Sequence, residues 1–385
     1  MEAILKNPEH PEYGTAAIPF PIPTERYDEC VERLVAMGIG DPLERDCAVE
    51  GVTDAPSVLE RLKGHRVNVD ELDYLGKRLD GFDGNEIMKF SAMAHIMGLT
   101  AAKDLINLTF CSSEVTVIRN FNNLASEGEM HFLTVKGGAS LEELQEIDPV
   151  KIISDLIAGG KGAVTPYGVA YHNGMVFQEL YKGGNFPEYH CVPEILFGKL
   201  SKSRQPENWE EIVPLYFPMG DSALTRALIR AGLEKSGEPL YLELESADAP
   251  LEVEQALGAE RTVRVSDGFL SELNAMCRAI AGLPDSEYGK LGEVIRFAEP
   301  EDAAQIARLA ENLGLFEFIP DEGTPEKQER ELTATENGGF TAHGYVAYRG
   351  ELPLEKLMAE PETETAASPL SGREKSVPRR KVEER

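Results

Sequence analysis

The sequence predicts an α+β fold built as a tandem duplication of one unit. Three observations support this prediction. The block 69–108 aligns on residues 270–309 without a gap, short strand-like runs alternate with helical patterns in both halves, and the segments that open and close the unit recur in the same order. Each unit should therefore contain small sheet/helix subdomains and a short helical bundle.

The duplicated block is the strongest of these observations. Its identical pairs are Glu71/Glu272, Leu72/Leu273, Gly81/Gly282, Glu86/Glu287, Lys89/Lys290, Ala102/Ala303 and Leu108/Leu309. Apolar positions also coincide, among them Leu75 with Met276 and Leu105 with Ile306. A gapless register that matches the apolar positions indicates two copies of one fold.

In the first half, residues 13–23 predict a short strand that its prolines end. Thr24 is a candidate N-cap for a helix that stops at Gly38, and Ser57 begins a capping-box pattern. The duplicated block then predicts three bundle helices, the first capped by Asp70, at about 70–79, 86–97 and 101–108.

Residues 109–180 predict a second small sheet. Two runs, 114–118 and 131–135, are rich in β-branched and aromatic residues, which favour strands. Helices are expected after Ser140 and, as one of two alternatives, over 151–157. The segment 164–180 predicts a hairpin that turns at Asn173-Gly174, because this dipeptide favours the type I′ turn.

These patterns divide the chain into a first unit, 1–197, a polar linker, 198–211, and a second unit, 212–358. The second unit should contain a helix over 221–232, strands near 239–245 and 261–265, the repeated bundle and a closing hairpin at 341–348. Residues 359–385 contain few large apolar side chains and are expected to be a disordered tail.

Composition favours a cytoplasmic protein. Five cysteines form no CxxC pair, which argues against a disulfide framework or a zinc site and predicts small core residues. No apolar run is long enough to span a bilayer, and the N-terminus lacks the pattern of a secretory signal. We therefore expect no membrane association.

No enzyme signature is evident. The run Gly159-Gly160-Lys161-Gly162 resembles part of a phosphate-binding loop, but Asp155 replaces the first glycine and Gly162 replaces the required Ser or Thr. The seven histidines are scattered without the spacing of metal ligands. We expect no catalytic residues, no metal and no cofactor.

Acidic residues dominate both halves. The whole chain carries a formal net charge of −29, with 31 acidic and 17 basic residues in 1–200 and 30 and 15 in 201–358. Such charge repels nucleic acid and attracts basic partners, although it also serves solubility alone. The candidate partner-binding acids lie in and around the duplicated block: Asp70, Glu71, Asp73, Asp80, Asp83, Glu86, Glu272, Asp285, Glu287, Glu293, Glu299, Glu301 and Asp302.

Several segments resemble the ArdA-type antirestriction proteins of mobile genetic elements in Firmicutes. They are IPFPIP (18–23), VNVDELDYL (67–75), DLINLTFC (104–111), VTPYGVAY (164–171) with Asn173-Gly174-Met175, and, more weakly, NLGLFEF (312–318). The resemblance implies an elongated acidic protein that imitates bent DNA and forms a homodimer. Here two tandem units could supply the length that a dimer supplies elsewhere.

The resemblance implies a non-enzymatic inhibitor that occupies the basic DNA-binding channel of a type I restriction-modification complex. Two alternatives remain open at this point. The target could be another DNA-handling defence system, such as a CRISPR effector. The chain could instead be an interaction module of a mobile element that imitates nothing and is acidic for solubility.

Overall fold

The computed structural model describes residues 1–190, 194–235, 237–321 and 337–359. It confirms an α+β protein in which helices surround four small antiparallel sheets. The predicted disordered tail falls almost wholly outside the described residues, as does Cys191.

The first sheet has the strand order β2-β1-β3-β4, with β1 Glu2–Lys6, β2 Thr15–Pro19, β3 Cys47–Thr53 and β4 Arg66–Val67. Alternate residues of β1 and β2 face the core, as a period of two requires. Helix α1, Tyr27–Ala36, packs on this sheet through Cys30, Val31 and Leu34. A 3-10 turn precedes α1, so Thr24 does not cap the helix as predicted.

The first helical bundle consists of α2 Val69–Asp80, α3 Gly84–Met97 and α4 Ala102–Thr109. The predicted cap of α2 is wrong by two residues. Asn68, not Asp70, is the N-cap, and its side chain accepts hydrogen bonds from the amides of Asp70 and Glu71. Asp83 and Glu86 form a reciprocal capping box at the start of α3.

The second small sheet has the order β5-β7-β6, with β5 Val115–Ile118, β6 Ala163–Thr165 and β7 Gly168–His172. Three helices separate β5 from β6: α5 Leu124–Lys136, α6 Leu141–Glu146 and α7 Pro149–Ala158. The strand predicted at 131–135 is wrong, because these residues form the last turns of α5. Asn123 caps this helix and Gly137 ends it in the left-handed conformation, so the helix continues through β-branched residues.

The predicted hairpin, which pairs 164–171 with 175–180, is wrong: a hairpin forms here, but its strands β6 and β7 both lie almost wholly within the predicted first strand. The chain reverses at Pro166-Tyr167, where the Thr165 hydroxyl donates to the Gly168 carbonyl (2.8 Å) and accepts from the Tyr167 amide (3.1 Å). Residues 175–180, the expected second strand, form no strand. The segment 173–190 instead crosses the first bundle, where the buried Asn107 side chain binds both backbone groups of Tyr181.

The second unit repeats the strand order of both sheets and the three bundle helices of the first, whereas α5, α6 and α7 have no counterpart among its described residues. Its sheet, β11-β10-β8-β9, is built from β8 Leu196–Ser201, β9 Ile212–Phe217, β10 Leu240–Ser246 and β11 Glu260–Val263, with α8 Asp221–Arg230 and α9 Leu251–Leu257. The second helical bundle follows as α10 Phe269–Ala281, α11 Tyr288–Ala298 and α12 Ala303–Glu311. Its closing sheet, β12-β14-β13, consists of β12 Phe316–Pro320, β13 Gly338–Phe340 and β14 Gly344–Tyr348; α13 Leu354–Met358 comes last.

The stretch predicted as a linker needs correction. Residues 198–201 are the last four of the six residues of β8, which pairs with both β9 and β10 inside the second sheet. The sequence GKLS is polar apart from Leu200, but Gly198 fits the strand, because a Cβ there would lie only 3.2 Å from the Phe217 ring. The second unit therefore begins before residue 198, and the remainder of the stretch is the β8–β9 connection.

Candidate partner-binding surface

Seven of the predicted acids lie on the surface, and we call them the exposed acidic set: Asp80, Asp83, Glu272, Asp285, Glu299, Glu301 and Asp302. Asp80 is the last residue of α2, Asp83 lies in the α2–α3 connection, and Asp285 occupies the matching α10–α11 connection. Glu299, Glu301 and Asp302 follow α11. Most of the set therefore lies in the connections between bundle helices, and both units contribute.

Glu86 and Glu287, which occupy equivalent positions, are half-buried. Glu86 closes the capping box of α3 by accepting from the Asp83 amide (2.8 Å). Glu287 forms an ion pair with Lys290 at 3.3 Å. Because Lys290 offsets the charge of Glu287 and Glu86 is only half-exposed, both contribute less to the charged surface than the exposed acidic set.

Four predicted acids are buried, which contradicts their assignment to a partner-binding surface. Asp70, Glu71, Asp73 and Glu293 are only 4–6% exposed. Each is held by a group distant in sequence: the Ile22 amide donates to Asp73 (2.6 Å), and His343 Nδ1 lies 2.6 Å from Glu293. These four carboxylates make hydrogen bonds and ion pairs inside the folded chain, so they are not accessible to a partner.

The repeat itself contains a signal that could have identified one of them. Asp73 aligns with Asn274, which accepts a hydrogen bond from the Met219 amide at 2.9 Å, just as Asp73 accepts from Ile22. The side chains of Asp73 and Asn274 each bind the turn that follows the first two strands of their unit. An acid that aligns with a neutral amide in a repeat indicates a structural hydrogen-bond acceptor rather than a required charge.

The exposed acidic set is electrostatically uncompensated. Among the described residues, no ion pair includes any of its seven carboxylates. Asp83 and Asp302 accept hydrogen bonds from backbone amides at helix starts, which leaves their charge in place. The full negative charge of these side chains is available to a basic partner.

Two members of the set occupy positions that local stability disfavours. Asp80 is the last residue of α2, where the helix dipole is unfavourable for a carboxylate. Glu299 has a φ of 48°, in the left-handed region, where the first unit has Gly98 at 67°. A non-glycine residue in this conformation costs about 1 kcal/mol, so folding alone does not explain an acid there.

A further feature escaped the sequence analysis: the two units meet through α8. Arg226 Nε donates to Asp70 Oδ1 at 2.8 Å, and Arg230 Nη1 lies 3.8 Å from Asp70 Oδ2. The sequence offered one signal, a pair of arginines four residues apart on an otherwise apolar face. Because 156 residues separate Asp70 from Arg226, no local pattern connects them.

The junction also contains a cavity of about 280 Å³ between the units. Its walls include Tyr74, Phe186, Tyr216 and Met219. The ring of Tyr74 stacks on Phe186 with centroids 4.6 Å apart, and its hydroxyl donates to the Pro187 carbonyl at 2.9 Å. The junction thus combines apolar packing with the buried charges of Asp70 and its arginines.

The described residues contain no group of three or more His, Cys, Asp or Glu side chains placed to hold a metal ion. Cys30, Cys47, Cys111 and Cys277 are buried and unpaired, which confirms the prediction of core residues for these four. Burial raises the pKa of the Cys47 and Cys277 thiols, so both are protonated near neutral pH.

Comparisons of the chain with protein-family models, curated proteins and solved structures give no match. Among the described helices, none is both long enough and apolar enough to cross a bilayer. Any functional assignment must therefore be argued from the chemistry of the surface itself.

Proposed function

We propose that this chain is a non-enzymatic DNA mimic that occupies the DNA-binding channel of a type I restriction-modification complex. The observation that supports the proposal is the exposed acidic set. Its carboxylates are uncompensated, most of them occur in connections between the bundle helices of both units, and they include Glu299 in a conformation that favours glycine. Selection for partner binding accounts for an acid at such a position.

The chemistry of the target follows from this charge. Duplex DNA presents one negative charge per about 1.7 Å of its axis, and a protein channel that holds DNA must be basic. A chain with a net charge of −29 is attracted to such a channel and repelled by DNA itself. The proposed action is therefore direct competition with DNA in the cytoplasm, without a metal or cofactor.

The resemblance to ArdA-type proteins selects the type I complex among possible targets. The decisive experiment is displacement of labelled duplex DNA from a purified type I restriction-modification complex, repeated from 50 to 300 mM salt. Charge-driven binding should weaken steeply over this range, because each ionic contact is coupled to counterion release. Displacement that is independent of salt would contradict mimicry.

A matched pair of variants isolates the surface. The first neutralises four exposed acids of the set, as Asp80→Asn, Asp285→Asn, Glu299→Gln and Glu301→Gln. The control neutralises four exposed acids outside it, as Glu32→Gln, Asp155→Asn, Glu243→Gln and Glu355→Gln. Both variants change the net charge equally. If the exposed acidic set is the binding surface, the first variant should lose at least tenfold more of its ability to displace DNA than the control.

The alternatives correspond to other results of the same experiment. Equal losses in both variants would indicate non-specific acidity. Failure of the wild type to displace DNA at low salt would remove the type I complex as the target, and a panel of other DNA-handling defence complexes would then be tested. A partner whose binding neither variant changes would favour an interaction module that does not imitate DNA.

A further inference from the structure

Three charged side chains at the junction of the two units are almost completely buried, and we call them the junction cluster: Asp70, Arg226 and Arg230. Their side chains are 5–8% exposed. Asp70 belongs to α2 of the first unit, whereas both arginines belong to α8 of the second. The cluster therefore joins units that are distant in sequence.

The two arginines also bind main-chain carbonyl groups of the first unit. Arg226 Nη1 donates to the Gly40 carbonyl at 2.6 Å, and Arg230 donates to the carbonyls of Pro42 and Gly184. The Arg230 guanidinium also lies over the Phe186 ring, 4.3 Å from its centroid. Because guanidinium hydrogen bonds are planar and directional, these contacts restrict both the position and the rotation of α8.

The start of α8 is held in the same way. The Asp28 carboxylate, on α1 of the first unit, accepts hydrogen bonds from the Ser222 amide at 2.8 Å and the Asp221 amide at 3.3 Å. Tyr27 lies against Gly220, where a Cβ would come within 3.1 Å of the Tyr27 Cβ. Equivalent helices of the two units, α1 and α8, thus meet directly.

The junction cluster is not required for the fold of a unit. The position equivalent to Asp70 in the second bundle is Ser271, and α10 nevertheless forms the same helix in the same bundle. Within the part of the chain that the structure describes, these ion pairs therefore occur once, at the place where the units meet. This asymmetry assigns them to the junction rather than to the unit.

The cluster is also a poor source of net stability. Within the described residues, Asp70 Oδ2, Arg226 Nη2 and Arg230 Nε have no hydrogen-bond partner although they are buried. Desolvation of buried charges offsets most of their attraction, and well-packed apolar replacements are often as stable. Apolar contacts around the junction cavity already hold the two units together, but the hydrophobic effect is non-directional. What the charges add is a defined orientation.

We propose that the junction cluster is a positioning device that fixes the orientation of the two units, so that acidic connections of both bundles engage one basic channel together. This inference rests on the proposed function for its consequence, but the orientation can be measured independently. A fixed spacing matters because simultaneous engagement is lost when the geometry does not match the target.

The test replaces the charged cluster by apolar residues of similar size, Asp70→Leu with Arg226→Met and Arg230→Met. Spin labels at Asp155→Cys and Glu243→Cys, one exposed site in each unit, report the inter-unit distance distribution in a Cys191→Ser background. The other four cysteines are buried. We expect cooperative unfolding near the wild-type temperature, a broadened distance distribution and at least tenfold weaker displacement of DNA by the full chain.

The outcomes separate the two proposals. A distribution as narrow as that of the wild type overturns the positioning role, whatever happens to binding. A broad distribution with unchanged displacement overturns the link between orientation and function. If the wild type displaces no DNA, the proposed function fails while the distance measurement still tests the device.

A conservative variant guards against misfolding of the triple replacement. Arg226→Lys keeps the charge but removes the planar fork that binds both Asp70 and the Gly40 carbonyl. Its distance distribution should be broader than that of the wild type, with unfolding still cooperative. An unchanged distribution in Arg226→Lys also contradicts the proposal.

Discussion

Gly76, in the middle of α2, provides the sharpest test of how the first bundle packs. A Cβ at this position would lie 2.9 Å from the Phe20 carbonyl carbon, 2.9 Å from the Pro21 nitrogen and 3.0 Å from the Phe20 Cβ. Carbon atoms in favourable contact are about 3.5–4.0 Å apart. The turn at Phe20-Pro21 is held by main-chain contacts, so it cannot move aside as a flexible side chain can.

The substitution Gly76→Ala sets two effects against each other. Alanine gains about 1 kcal/mol over glycine in a helix interior. Overpacking a well-packed site costs about 1–3 kcal/mol, and contact with two backbone atoms places this site in the upper part of that range. We therefore expect a net loss of about 1–2 kcal/mol in the free energy of unfolding.

Urea unfolding at 25 °C, followed by circular dichroism, measures this loss as a lower midpoint at an unchanged slope. The matched control is Gly289→Ala in α11, where a Cβ meets no atom within 4 Å. That variant should be stabilised by up to about 1 kcal/mol. If Gly76→Ala were as stable as the wild type, the close packing of α2 on the Phe20-Pro21 turn would be refuted.

Two further variants test buried polar groups. Asn107→Leu removes the donor and the acceptor that bind the backbone of Tyr181. Because each buried group left without a partner costs about 1–3 kcal/mol, the free energy of unfolding measured in urea should fall by about 2–4 kcal/mol. An unchanged rate of hydrogen exchange at the Tyr181 amide would contradict this. Burial opposes ionisation of Glu293, yet hydrogen bonds from Thr341 and His343 hold its pKa below the usual 4.5. Its carboxylate should stabilise the fold fully above pH 4.5 and progressively less as the pH falls through the lowered pKa. The stability advantage over Glu293→Gln, measured by urea unfolding, should shrink over that range, and a constant advantage from pH 6 to pH 2.5 would contradict the assignment.

Patterns local in sequence predicted much of the fold. The capping box at Ser140 and the repeated bundle appear where local signals placed them. The failures arise where two local signals compete. Residues 131–135 favour a strand by side-chain type, but the cap at Asn123 and the stop at Gly137 enclose them in one helix. Similarly, Asn173-Gly174 is a strong turn signal, but Thr165 closes an earlier turn.

The candidate surface was predicted less well, for a different reason. Whether an acid is exposed depends on what packs against it, and the partners of Asp70 and Glu293 lie far along the chain. Helical position alone cannot separate such acids from Asp80 or Asp285, which stay on the surface. Alignment of the two units provides part of the missing information at Asp73, because Asn274 at the equivalent position makes the same hydrogen bond without a charge.

The junction has a consequence for the chain while it is being synthesised. Asp70 leaves the ribosome 156 residues before Arg226, an interval of about 8–30 s at ordinary elongation rates. During that time the docking face of the first unit is open to water. A large exposed apolar face is a site for aggregation, and a carboxylate at its centre, here hydrogen-bonded by the Tyr27 hydroxyl, interrupts such a face. Asp70 thus gives the open docking face of the first unit a charged centre among its apolar walls until the second unit covers it.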